Sequence, residues 1–187
     1  MSVNWKNPFV KKVLGRIQHY DEKTYWKLRE KSIKKSGGGG LLLWYLLRVK
    51  RMDAFNNASI GINIGFGAEF DGIPRFPHGL YGIIISPYAK FGKNVRIFQQ
   101  VTVGDDGRDA KNVPTIEDEV FLYPGCKVLG KCTIGKGAKV GANCVVSFDV
   151  PPYAVVTAPK PMIHIKEKSD NEVHTEGYNI FVNKKEK

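Results

Sequence analysis

No apolar run in the sequence is long enough to cross a bilayer. The longest, Leu41–Leu47, is seven residues, against the roughly 20 that a spanning helix requires. The opening stretch MSVNWKNPFVKKVLGRIQ holds neither an uninterrupted apolar core nor a small-residue cleavage site, so no secretory leader is expected. Cysteine is scarce, three residues with no Cys-x-x-Cys spacing, which argues against a disulfide framework or a thiolate metal site. Between positions 58 and 163 His78 is the sole histidine, so a zinc centre built on three imidazoles lacks its ligands. No Gly-Lys-Ser/Thr follows the four glycines 37–40, so they form no phosphate loop, and GKGAKVG at 135–141 lacks the strand–turn–helix context of a dinucleotide loop. The expectation is a cytoplasmic protein with one main domain.

Acidic residues are sparse in one place only. The chain carries a formal charge of +11, and positions 1–57 hold 13 Lys/Arg against 4 Asp/Glu, whereas 58–160 hold 11 against 9. No nucleic-acid-binding motif organises the N-terminal cations, so no nucleic-acid partner is expected. Asn7-Pro8 reads as a helix cap and first-turn proline, and Phe9, Val10, Val13, Leu14, Ile17 and Tyr20 follow at helical spacing. A second helix is expected over about 21–35, ending at the glycines, and a third over LLLWYLLRVKRM. Either these faces pack on one another and on the main domain, or the basic amphipathic first helix lies on an anionic membrane face, at the inner side.

From position 58 the dominant signal is a six-residue period. Aliphatic or aromatic residues recur at Ile64, Phe70 and Phe76, at Ile85, Phe91, Ile97 and Val103, and at Ile116, Leu122, Val128, Ile134, Val140 and Val146. Four places after most of them stands a small residue: Ala68, Ala89, Val95, Val101, Val120, Cys126, Cys132, Ala138, Cys144 and Val150. Hexapeptide periodicity of this kind marks a parallel β-helix, mainly β, in which each hexad gives one short strand and one turn and three hexads close a coil. With Ala58 and Pro152 as end members there are fifteen hexads, about five coils, stacked to a height of about 24 Å at the usual strand spacing. The three cysteines then become small buried residues. Gly65, Gly92, Gly135 and Gly141 are expected at turns where positive φ favours glycine.

The period breaks twice. The step from Phe76 to Ile85 is nine residues and that from Val103 to Ile116 is thirteen, so both are loops that leave the coil, and the second, polar and charged, has the character of an excursion that covers or borders a site. The first carries His78, between Pro77 and Gly79.

With that break, positions 58–163 resemble the hexapeptide-repeat acyltransferases, and among them the serine acetyltransferase-like branch. The likeness rests on PHGLYGIIISPYAKFGKNVRIFQQVTVG and on IGKGAKVGANCVVSFDVPPYAVV. It implies a left-handed β-helix, a homotrimer, and acetyl-CoA as acyl donor, with no metal, lying between neighbouring coils near His78. His78 is then the general base that deprotonates a hydroxyl acceptor. The resemblance places Asn63 behind His78 as its orienting residue, Gly104 near the thiol, and Tyr123, Lys139 and Ala142 along the cofactor groove. Lys139 and Lys160 are candidates for the phosphates.

Several positions depart from serine acetyltransferase. Asn63 stands for an aspartate, Pro77 precedes the histidine in place of an aspartate, and Asn112-Val113-Pro114 replaces Arg-His-Pro. VPTI and the Phe-Gln-Gln-Val-Thr stretch are similar to surface-polysaccharide O-acetyltransferases. The expectation is therefore a sugar O-acetyltransferase of polysaccharide biosynthesis, with serine O-acetyltransferase or a non-catalytic β-helix scaffold as alternatives. The domains are expected at 1–57 (basic, helical), 58–163 (β-helix) and 164–187 (a polar C-terminal extension).

Overall fold

A computed structural model describes residues 7–34, 39–163, 173–175 and 178–180. Three helices come first: α1 (Pro8–Ile17), α2 (Glu22–Ile33) and α3 (Gly39–Phe55). Each of the first two begins where a side-chain oxygen meets a free backbone N–H. The Phe9 N–H donates to Asn7 Oδ1 at 2.8 Å, and the Thr24 N–H donates to Asp21 Oδ1 at 2.8 Å. The break expected at the glycines is displaced, because Gly39 and Gly40 already form the first turn of α3. Gly37 and Gly38 lie outside the described residues.

Fifteen strands of two or three residues follow. They are β1 (Ser59–Ile60), β2 (Ile62–Asn63), β3 (Phe66–Gly67), β4 (Glu69–Phe70), β5 (Ile84–Ile85), β6 (Lys90–Phe91), β7 (Arg96–Ile97) and β8 (Thr102–Gly104). The chain continues with β9 (Thr115–Ile116), β10 (Phe121–Leu122), β11 (Lys127–Leu129), β12 (Thr133–Ile134), β13 (Lys139–Val140), β14 (Val145–Val146) and β15 (Val155–Val156). All but β2 and β3 form a left-handed parallel β-helix with three faces. The first face stacks β1, β5, β8, β11 and β14, the second β4, β6, β9 and β12, and the third β7, β10, β13 and β15. Single bridges, Arg75 to Arg96 and Ile134 to Val150, extend the third and second faces at opposite ends. Regular strand thus amounts to about four turns, with the two end coils incomplete on one side.

The hexad positions behave as the period requires. All ten small residues are buried, as are the apolar residues from Ile85 to Val103 and from Ile116 to Val146. Cys126, Cys132 and Cys144 are free and buried, and desolvation pushes the Cys126 thiol up to about 12.

Two expectations need correction. Ile64 is exposed while Ile60 and Ile62 are buried, because β2 and β3 double back as an antiparallel hairpin before the coil begins. Gly65 sits at that reversal with φ +76°. Gly92, Gly135 and Gly141 do not occupy positive-φ turns; the left-handed corners belong instead to Asn94, Gln100, Glu119, Gly125, Gly137, Asn143 and Tyr153. Close approach of the next coil explains these three glycines. A Cβ on Gly135 would come within 2.5 Å of Pro152 N, and one on Gly141 within 2.7 Å of Val156 O. The corner residues offset their strained backbone with hydrogen bonds down the stack, from Gln100 N–H to Tyr81 O (2.9 Å), Gly125 N–H to Gln99 O (3.0 Å) and Asn143 N–H to Pro124 O (3.0 Å).

A solenoid end exposes unpaired strand edges and an open core, so it needs a cap. Helices α2 and α3 supply it. Arg29, 5 % exposed, donates through Nη2 to Ala68 O (2.7 Å) and Gly61 O (3.2 Å), and its guanidinium faces the Phe70 ring at 4.8 Å. Tyr25 Oη donates to Asp53 Oδ1 at 2.7 Å, joining α2 to α3, and the Ile60 N–H donates to Asp53 Oδ2 at 3.4 Å. Desolvation lowers the Arg29 pKa to about 10 and raises that of the Asp53 carboxyl.

The C-terminal extension expected over 164–187, with His164 and His174 on the surface, lies outside the described residues except for an antiparallel pair, β16 (Val173–Thr175) with β17 (Tyr178–Ile180).

Candidate active site

The nine-residue step is a loop pinned in its C-terminal half. Leu80 and Ile83 are fully buried, and the Gly82 N–H donates to Asn56 O at 2.9 Å. Just ahead of these anchors the chain turns at Gly79, φ +72°, and leaves the His78 side chain exposed on the corner between the third and first faces. There the imidazole is held from two sides. Nδ1 lies 2.8 Å from Gln99 Oε1, and the ring meets Phe98 edge to face at 5.9 Å and 83°.

An amide oxygen accepts, so in the neutral imidazole this contact favours the tautomer with the proton on Nδ1 and the lone pair on Nε2. That is the arrangement of a general base. Asn63, expected to orient the ring, does not do so within this chain: it pairs with Phe66 in the β2–β3 hairpin, and Gln99 holds Nδ1 instead. Gln99 is 21 residues after His78, one 18-residue coil plus the three-residue insertion. That spacing was the signal that could have found it.

From His78 an aromatic strip runs along the third face. Phe98 stacks on Tyr123 at 5.3 Å and 16°, and Tyr123 on Phe121 at 6.1 Å and 26°. Two cations cover Phe121, with Arg96 Cζ at 4.6 Å and Lys139 Nζ at 5.6 Å from the ring centroid. Ala142 is exposed on the His78 corner, beside Asn143, two coils beyond Gln99. His78, Tyr123, Lys139 and Ala142 are therefore on one side of the coil. Gly104 is not with them: it ends β8 on the first face, where its carbonyl accepts from the Gly130 N–H at 3.0 Å. Lys160 lies past β15, exposed and outside the stacked strands. The sequence reading did not single out Phe98, Phe121 or Arg96, since outward side chains leave no mark on the hexad period.

The second break, between β8 and β9, leaves the coil as expected and folds on its own carboxylates. Asp106 Oδ1 accepts from the Arg108 N–H at 3.0 Å and Asp106 Oδ2 from Asn112 Nδ2 at 3.3 Å, which hold its carboxyl below the usual range. A concavity of about 780 Å³ lies elsewhere, between α2 and the first coil, lined by Trp26, Arg29, Phe70 and Ile73. It does not include His78. A base on a convex corner has only one wall within a single chain.

Residues 114–147 match the family model described as bacterial transferase hexapeptide (six repeats). The chain is 43% identical over 97 residues to a serine acetyltransferase of Bacillus licheniformis and 41% identical over 97 residues to one of Bacillus subtilis, in each case covering 51% of this chain and 44% of the relative. It thus spans under half the length of these curated relatives. Among solved structures it is similar to serine acetyltransferase isoform 3 of Entamoeba histolytica, crystallised with cysteine, with a TM-score of 0.57 and 27% identity over 68% of this chain and 46% of that one. These relatives overturn the sugar-directed reading and its placement in polysaccharide biosynthesis, because the similarity leads to serine acetyltransferases instead. Over residues 114–147 the β-helix of this chain is thus similar to the hexapeptide repeats of bacterial transferases.

Proposed function

We propose that the protein is an acetyl-CoA-dependent serine O-acetyltransferase that works as a homotrimer. The observation that carries this reading is the exposed His78 imidazole, fixed through Nδ1 by Gln99 at 2.8 Å at the head of the aromatic strip. Nε2 takes the proton of the acceptor hydroxyl as its oxygen attacks the thioester carbonyl. Collapse of the tetrahedral intermediate breaks the C–S bond, the imidazolium returns the proton to the departing sulfur, and free CoA and the acetyl ester result. Backbone N–H groups of a coil turn stabilise the intermediate oxyanion. Arg96 and Lys139 offer charge to the donor's phosphates, and Tyr123 and Ala142 border the path between them and His78. A neighbouring protomer supplies the missing wall, which accords with the apolar Val145 and Val155 exposed on the outer faces.

The departures at the acceptor end have a consequence. Pro77 and Asn112-Val113 stand where the resemblance has an aspartate and an Arg-His pair, so these positions offer no charge to the ammonium and carboxylate of serine, serine binds weakly and its KM is high. With acetyl-CoA, the protein should convert L-serine to O-acetylserine, identified by mass spectrometry, with a KM above the ~1 mM that bounds ordinary values. Absence of O-acetylserine at saturating serine would overturn the proposal.

A further inference from the structure

Helix α1 is not used by the site, and part of its apolar side is left uncovered by the fold. Phe9, Val13 and Ile17 repeat every fourth position and so share one helix face. All three are exposed, Phe9 by 72 % and Ile17 by 64 %. The helix sequence PFVKKVLGRI contains three cations and no anion, and the described side chains of Lys12 and Arg16 are exposed as well. Its C-terminal end is moored to the body: Asn56 Nδ2 donates to Gln18 O at 3.1 Å, and the His19 ring lies 3.8 Å from that of Phe55. Helix α3 adds Leu43, Trp44 and Leu47, each exposed by nearly half or more, with the Arg48 guanidinium 5.2 Å from the Trp44 ring.

Two occupants fit an apolar helix face of this kind, a second copy of the chain or a lipid surface. Charge decides between them. Two copies meeting through α1 would bring six cations together with no anion from either helix, whereas an anionic bilayer surface complements the same cations and accepts the apolar side chains below the headgroups. We infer that α1 is an interfacial anchor that binds the protein peripherally to membranes rich in anionic lipid, its Phe9–Val13–Ile17 face in the acyl boundary and Lys12 and Arg16 at the headgroups. This inference is independent of the acceptor proposed above.

The test is co-sedimentation of the full chain with vesicles of phosphatidylcholine containing about 30% phosphatidylglycerol, beside vesicles of phosphatidylcholine alone. Binding is expected on the anionic vesicles only, weakened by salt as surface charges are screened. Phe9→Ser/Ile17→Ser and Lys12→Glu/Arg16→Glu should each reduce it about tenfold or more, while the thermal midpoint stays unchanged. Absence of binding to the anionic vesicles, or equal binding to both kinds, would overturn the inference. So would a lower sedimenting mass of Phe9→Ser/Ile17→Ser without lipid, which would assign the face to a second copy.

Discussion

Gln99 and His78 together set what the corner between the third and first faces does. An imidazole free to rotate presents either nitrogen in either tautomer; one held through Nδ1 by an amide oxygen presents a basic Nε2. We therefore assign Gln99 as a positioning residue. Gln99→Ala should lower kcat about tenfold with little change in the KM for acetyl-CoA. Gln99→Glu places a carboxylate against Nδ1, favours the imidazolium, and should move the acid limb of the pH–rate profile to higher pH. A residue with a merely structural role would alter the thermal midpoint and leave that limb in place. His78 was legible in the sequence because it interrupts a strict period. Its partner was not, since Asn63 matches a family position, whereas the contact to Gln99 depends on how one coil of eighteen residues returns the chain beneath the insertion.

At the scale of elements, the hexad period gave the strands and their inward side chains directly, because a six-residue unit admits one way of pointing aliphatic residues into a triangular core. It failed at the ends. Ile64 holds the right place in the period yet is exposed, since the N-terminal coil edge closes with a hairpin and helices rather than with another hexad. Gly65 has the positive φ expected of it, but Gly135 and Gly141 were placed correctly in the period for the wrong reason: stacked backbone is too close there for a Cβ, a contact between coils that no local pattern displays.

The same limit applies to the cap, where Tyr25 and Asp53 are 28 residues apart. Burial raises the Asp53 pKa above its ordinary 3.8, so the folded state keeps this proton to higher pH than the unfolded chain does. The stability it contributes is full below the ordinary value and is lost as pH rises through the raised folded value. Asp53→Asn keeps an oxygen for the Tyr25 hydroxyl and has no proton to lose. The thermal midpoint of wild type should accordingly fall relative to that of Asp53→Asn as pH is raised from about 4 to 7; a constant difference would remove Asp53 from this role.

Across the whole molecule the parts divide by task. Positive charge is concentrated in the first 57 residues, the helices α2 and α3 close one end of the coil, and the repeat carries His78 and the aromatic strip. That division of charge was visible in the sequence. The distribution of the expected site residues around the coil was not, and it separates Gly104 on the first face from Tyr123 and Lys139 on the third. Residues on different faces of one coil meet only if another protomer brings its own face alongside, which is why the proposed enzyme is an assembly. The proposed acceptor, too, rests on likeness over half of the chain rather than on the residues that depart from it. The central claim is that His78 is the base for acetyl transfer. The most direct measurement is the initial rate of CoA thiol release from acetyl-CoA with L-serine, for wild type and for His78→Ala of equal thermal midpoint. The account predicts a loss of about 100-fold or more in the variant; equal rates would contradict it.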